Sequence, residues 1–124
     1  MLSPVAIALA GGLGTLARYG IDGIVSRHTS TSFPWGTFVV NVSGSFLVGL
    51  VFTLMAERLL LPPWTRSAAT IGFLGAYTTF STLSFETYRM LEDGAHGLAV
   101  ANAVGSLAAG LLAVYAGIVV GRVI

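Results

Sequence analysis

Of 124 residues, 55% are hydrophobic and 9% are charged, with a formal net charge of +1 and a mean hydropathy of +0.86. A soluble domain carries roughly 25% charged residues, so a chain of this composition has lipid as its main solvent. Six Arg and no Lys cannot build the dense basic patch of a nucleic-acid binder, and the absence of Cys excludes disulfide frameworks, thiolate metal sites and thiol catalysis.

A membrane-crossing helix takes about 20 mostly apolar residues, because the hydrocarbon core is roughly 30 Å thick and each residue rises about 1.5 Å. Four stretches meet this requirement, at about 3–25, 33–57, 66–91 and 97–122, and together they leave no room for a soluble domain. The first has neither a basic n-region nor a convincing cleavage site, so it reads as a span and not as a signal peptide. Within it, Gly12-Leu13-Gly14-Thr15-Leu16-Ala17 fits a dinucleotide-binding pattern. No strand precedes it and no acid follows at the right distance, so these read as packing glycines. Arg18 and Asp22 close this span, and the polar connector 26–32 leads to Phe33-Pro34-Trp35-Gly36, which suits a helix entry at the membrane interface.

Along the second span, Thr37, Asn41, Ser45 and Gly49 recur every four residues and share one face. A mid-membrane Asn needs partners for two N–H donors and a carbonyl. Two readings fit it: hydrogen bonding between helices, or a polar lining for a solute pathway. Pro62-Pro63-Trp64 then interrupts the chain, since consecutive prolines cannot continue a helix. The third span is the least helix-like. Gly72 and Gly75 precede Thr78-Thr79-Phe80-Ser81-Thr82-Leu83-Ser84, and five hydroxyls in seven residues at membrane depth predict an interrupted helix. Interrupted membrane helices mark binding sites, because the freed backbone groups must meet an ion, a side chain or water. Glu86 closes that span.

Glu92-Asp93-Gly94-Ala95-His96-Gly97 separates the third span from the fourth. There Ala101, Gly105, Ala109, Ala113, Gly117 and Gly121 form a stripe of small residues expected to let helices approach closely. A second stripe of Asn102, Ser106 and Gly110 carries polar groups beside it. Charges near the hydrocarbon, Arg18, Asp22 and Glu86, fit either snorkelling with local pairing or a polar vestibule. His28 and His96 lie in connectors without a ligand set, and no nucleophile has both a base and an orienting group, so an enzyme is not expected.

With four spans, Arg58, Arg66 and Arg122 lie on one side of the membrane and Arg27 and Arg89 on the other, while Arg18 is inside a span. Three against two is almost no bias under the positive-inside rule. Either the topology is fixed with a weak bias, or the chain inserts both ways and pairs antiparallel. The predicted fold is therefore an all-α integral membrane protein of four transmembrane helices with the third broken, working as an oligomer.

Three sets of residues resemble the Fluc fluoride channels, also called the CrcB family. They are Gly11-Gly12-x-Gly14-x-x-x-Arg18-Tyr19, then Gly36-Thr37-x-x-x-Asn41-x-x-Gly44-Ser45-Phe46-x-x-Gly49, and then Gly72-x-x-Gly75-x-x-Thr78-Thr79-Phe80-Ser81-Thr82 followed by Glu86. The likeness covers essentially the whole chain. It implies an antiparallel, dual-topology homodimer in a bacterial inner membrane that lets fluoride leak out passively through two pores. It implies a structural sodium ion at the dimer centre, held by backbone carbonyls, with Gly75 and Thr78 at the matching positions. Asn41 and Phe80 match pore-lining positions; Ser106, Thr37, Thr82 and Glu86 match polar positions along the path, and Arg18 matches a vestibule arginine. One position departs: the family usually has a second Phe where this chain has Leu83, which keeps the bulk but offers no ring edge to an anion. Phe85 falls on another helix face and is not expected to replace it. Weakened or altered conduction with an intact fold follows. The rival reading, a small multidrug-type dual-topology transporter, would need a membrane-embedded carboxylate to bind a cation.

Overall fold

A computed structural model describes residues 2–58 and 62–124. Residues 59–61, part of the predicted connector at 57–66, and Met1 lie outside the described residues. All regular structure among the described residues is helical. Helix α1 runs Leu2–His28 and α2 runs Trp35–Glu57, its last turn widened so that the Arg58 N–H donates to Thr53 O, five residues back, at 3.0 Å. Helix α3, residues 63–77, opens on Pro63, where a missing N–H does no harm, and is π-wound over Ala68–Leu74. Helices α4, Phe80–Glu92, and α5, His96–Val123, complete the chain.

Three helical stretches, Ser3–His28, Trp35–Glu57 and His96–Val123, are long and apolar enough to cross a bilayer. They match the first, second and fourth predicted spans to within three residues at either end. The predicted third span holds two helices, α3 and α4, with Thr78 and Thr79 extended between them at φ −83°, ψ 157° and φ −148°, ψ 117°. The interruption falls after the glycines rather than at them. Gly72 stays helical because its role is close packing: a Cβ there would sit 2.7 Å from Ile7 O of α1. Thr79 ends the interruption by capping α4, its hydroxyl accepting from the Thr82 N–H at 3.2 Å.

The buried core is small. Val40, Leu74 and Tyr77 meet where α1, α2 and the end of α3 converge, with Ile21, Leu47 and Phe73 packed around them. Most large apolar side chains face outward, Leu9, Leu13, Leu107, Leu111 and Leu112 among them. In water that surface would drive aggregation; in lipid it is at no disadvantage. Helices α2 and α5 are held by close backbone approach instead, since a Cβ on Gly49 would strike Val114 O and one on Gly117 would strike Phe46 O.

The predicted small stripe of α5 is only partly the seam. Gly117 and Gly121 are buried, but Ala101 is exposed, Ala109 is only half-buried and Gly105 has open space beside it. Each helical residue turns about 100°, so a step of four rotates about 40° and the two ends of a six-residue stripe face nearly opposite ways. The packed face is Ala99, Asn102 and Ser106 at one end and Gly117 and Gly121 at the other. Its far end is pinned to α2: Arg122 donates to both Glu57 carboxylate oxygens at 3.0 Å, and the Arg58 guanidinium donates to Gly121 O at 3.1 Å and Ile124 O at 3.4 Å.

Candidate functional site

Helices α2, α4 and α5 enclose an open groove of about 740 Å³. Four predicted pathway residues, Asn41, Phe80, Leu83 and Ser106, share its wall, from three different helices. Phe80 opens α4, and 82% of its surface is exposed, so its ring stands free in the groove. Leu83, one turn on, lines the same wall; Phe85 does not, and lies with Arg89 placed 5.8 Å over its ring. Among the described residues, no charged side chain lines the groove.

Asn41 lines the groove and also hydrogen-bonds across elements. Its Oδ1 accepts from the Thr79 N–H at 2.8 Å and its Nδ2 donates to Thr79 O at 3.1 Å. This reciprocal pair satisfies the backbone exactly where α3 stops and α4 has not begun. An amide carries two N–H donors. Thr79 engages one, and no other acceptor among the described residues takes the second.

Thr82, Thr37 and Arg18 are not in the groove. They line a second, much smaller space of about 20 Å³ on the other side of Thr79, shared with Asp22 and Val40. That volume holds about one water-sized particle. Glu86 joins this side through the Thr37 hydroxyl, which donates to its Oε2 at 3.1 Å, while its Oε1 is buried without a partner. Arg18 neither snorkels nor makes an ion pair with Asp22. Its Nε donates inward to Ala76 O at 3.2 Å, and the one salt bridge among the described residues is Arg122–Glu57. Thr82 and Ser106 therefore serve separate spaces.

Gly75 and Thr78 line neither the smaller space nor, in the case of Gly75, the groove. In a continuous helix Gly75 O would accept from the Thr79 N–H and Thr78 O from the Thr82 N–H. Those donors go instead to Asn41 Oδ1 and Thr79 Oγ1. Both carbonyls thus lose their i+4 donors, Gly75 at the end of α3 and Thr78 in the extended link, and carbonyls freed at a helix interruption are of the kind that suits a hard cation taking oxygen ligands. Among the described residues no group of three His, Cys, Asp or Glu could hold a metal.

Thr87 and Tyr88 escaped the sequence reading, and Thr79 was read there only as part of the hydroxyl run. Thr79 has the central role at the interruption, and a Thr directly before an apolar helical run is a legible N-cap signal. Thr87 and Tyr88 also line the groove. Thr87 continues the spacing Phe80, Leu83/Ser84, Thr87 along one face of α4, and that periodicity was available in the sequence.

Membrane-length helices with their polar groups turned into a groove define a small multi-pass membrane protein. Residues 5–118 match the family described as CrcB-like protein, Camphor Resistance (CrcB). The chain belongs to the CrcB family. It is 50% identical over 118 residues to a protein of Citrifermentans bemidjiense, and 51% identical over 118 residues to one of a Geobacter species, strain M21; each alignment covers 95% of both chains. A protein of Solibacter usitatus is 46% identical over 116 residues, covering 94% of this chain and 95% of its own. All three relatives carry the name fluoride-specific ion channel FluC.

Proposed function

We propose that this protein is a fluoride-selective channel of the bacterial inner membrane, passing fluoride outward down its electrochemical gradient and so conferring fluoride resistance. The observation that carries this reading is the groove wall. It collects an amide with a free N–H, a hydroxyl and an exposed aromatic ring around one uncharged passage, in a chain whose relatives are named fluoride-specific channels. No chemical step is needed, and nothing in this reading is enzymatic.

Fluoride is small and strongly hydrated, so a dry path must replace its water with donors. Asn41 offers an N–H, Ser106 an O–H, and Phe80 the positive edge of its ring. None is charged, which keeps the ion from binding too tightly to leave. A membrane potential negative inside supplies about 2.3 kcal/mol per charge per 100 mV, driving an anion out without ATP or a coupled ion. The multidrug-type alternative lacks its key group, because no carboxylate lines the groove and Glu86 is turned to Thr37.

The assembly we propose is an antiparallel, dual-topology homodimer in which α3 and α4 together make a fourth, interrupted crossing. Alone, the 13 residues of α4 span about 20 Å, short of the roughly 30 Å core. A second copy covering the groove would turn an open trough into a closed path, and the nearly even split of arginines, three against two, suits insertion in both directions. The chain exposes 7503 Å² where a compact soluble protein of 12.8 kDa would expose about 6,300 Å², so surface is available for a partner. A sodium ion at the dimer centre would be held by the Gly75 and Thr78 carbonyls, tying the two interruptions together.

The test is fluoride release from potassium-loaded liposomes carrying the purified protein, started with valinomycin and read with a fluoride electrode. Rapid release of fluoride but not chloride is expected. Silence from both this chain and its Leu83→Phe variant would overturn the proposal, and cation-driven proton flux would favour the multidrug-type alternative.

A further inference from the structure

We infer that Thr87 and Asn102 form a positioning pair that sets which way the Ser106 hydroxyl points in the groove; this rests on the fluoride-channel reading above. Asn102 is fully buried, a costly place for an amide unless every partner is fixed. Its Nδ2 donates to Thr87 Oγ1 at 2.9 Å, linking α5 to α4. Thr87 Oγ1 in turn donates its only hydrogen to Leu83 O at 2.8 Å. With that hydrogen engaged, Thr87 can only accept, so it must meet the nitrogen end of the Asn102 amide and not the oxygen end. The amide is thereby held in one of its two orientations.

The consequence reaches Ser106. Asn102 Oδ1 is left facing the Ser106 hydroxyl, which donates to it at 3.4 Å. That bond is long, near the limit at which a hydrogen bond survives. Ser106 is therefore held by a weak acceptor, from which its O–H is readily released to a stronger acceptor in the groove. If the amide were reversed, its N–H would point at Ser106 and the swing would be lost. The chain Ser106, Asn102, Thr87, Leu83 O reads as a directional relay in which each group donates to the next toward Leu83 O.

The relay is tested by a double-mutant cycle on fluoride efflux from liposomes. Thr87→Val keeps the shape of the side chain but removes the hydroxyl. It is expected to slow efflux about as much as Ser106→Ala, roughly tenfold, whereas Thr87→Ser restores efflux to within about twofold of the parent chain. In the Ser106→Ala background, Thr87→Val should add less than about twofold, because there is no hydroxyl left to position. Size-exclusion elution of each variant, matched to the parent, confirms that folding is intact. Multiplying effects in the cycle, or failure of Thr87→Ser to rescue, would overturn the relay while leaving the channel reading in place. A parent chain that releases no fluoride, with Leu83→Phe equally silent, would instead remove the channel reading and the relay with it.

Discussion

Thr79 separates two spaces of opposite character. On one side the groove is wide, open and uncharged, with Asn41, Phe80, Leu83 and Ser106 on its wall. On the other, Arg18, Asp22, Thr37 and Thr82 surround room for about one water-sized particle, with Glu86 held nearby by Thr37. Of the two spaces only the tight one has charged side chains on its wall, and the roomy one offers uncharged donors alone. A membrane protein handling a strongly hydrated anion gains from that division. Charges can be partnered and fixed where nothing large passes, and weak donors can line the passage where the ion must let go. The divide is made by two extended residues: Asn41 satisfies the N–H and carbonyl of Thr79, while the Thr78 N–H still donates to Leu74 O of α3.

The strongest way to break the division is to remove its keystone. Asn41→Ala leaves the Thr79 N–H and carbonyl unpartnered, at about 1–3 kcal/mol of stability, and deletes the free groove donor. Fluoride efflux should fall by at least ~100-fold, equivalent to about 2.7 kcal/mol of barrier. A lesser but more pointed comparison sets one hydroxyl from each space against the other. Ser106→Ala should slow efflux roughly tenfold and Thr82→Val only about threefold, within the range of a single lost hydrogen bond. Equal losses would mean that the tight space carries the ion too.

Leu83→Phe works in the other direction. A ring edge added to the groove wall should speed fluoride efflux by about three- to tenfold, matching the 0.5–1.5 kcal/mol of an oriented aromatic contact. No change would show that Phe80 alone suffices. The smallest effect belongs far from both spaces: Arg122→Gln and Glu57→Gln disrupt an exposed ion pair, and flux through the groove should stay within about twofold of the parent.

The sequence exposed the large features because they are collective. Long uncharged apolar runs gave three helices almost to their ends, and the hydroxyl run marked the interruption. The place of the interruption was harder to read. Glycine weakens a helix, so Gly72 and Gly75 drew attention, yet Gly72 is needed for contact with α1, and it is the competing hydroxyls and the Asn41 amide that end α3 at Thr78. Pairing across elements was not legible at all. Nothing local links Thr37 to Glu86, Arg18 to Ala76 or Asn102 to Thr87, and a stripe counted in fours misled on α5 because it rotates out of the seam. Sorting Thr82 from Ser106 needed the three-dimensional position of Thr79 between them.

The central claim is that the uncharged groove is a fluoride path. The most direct measurement is electrode-recorded anion release from valinomycin-treated, potassium-loaded liposomes containing either the parent protein or Asn41→Ala. We predict fast fluoride release from the parent, almost none from the variant, and no chloride release from either. Chloride release as fast as fluoride, or fluoride release unaffected by Asn41→Ala, would contradict it.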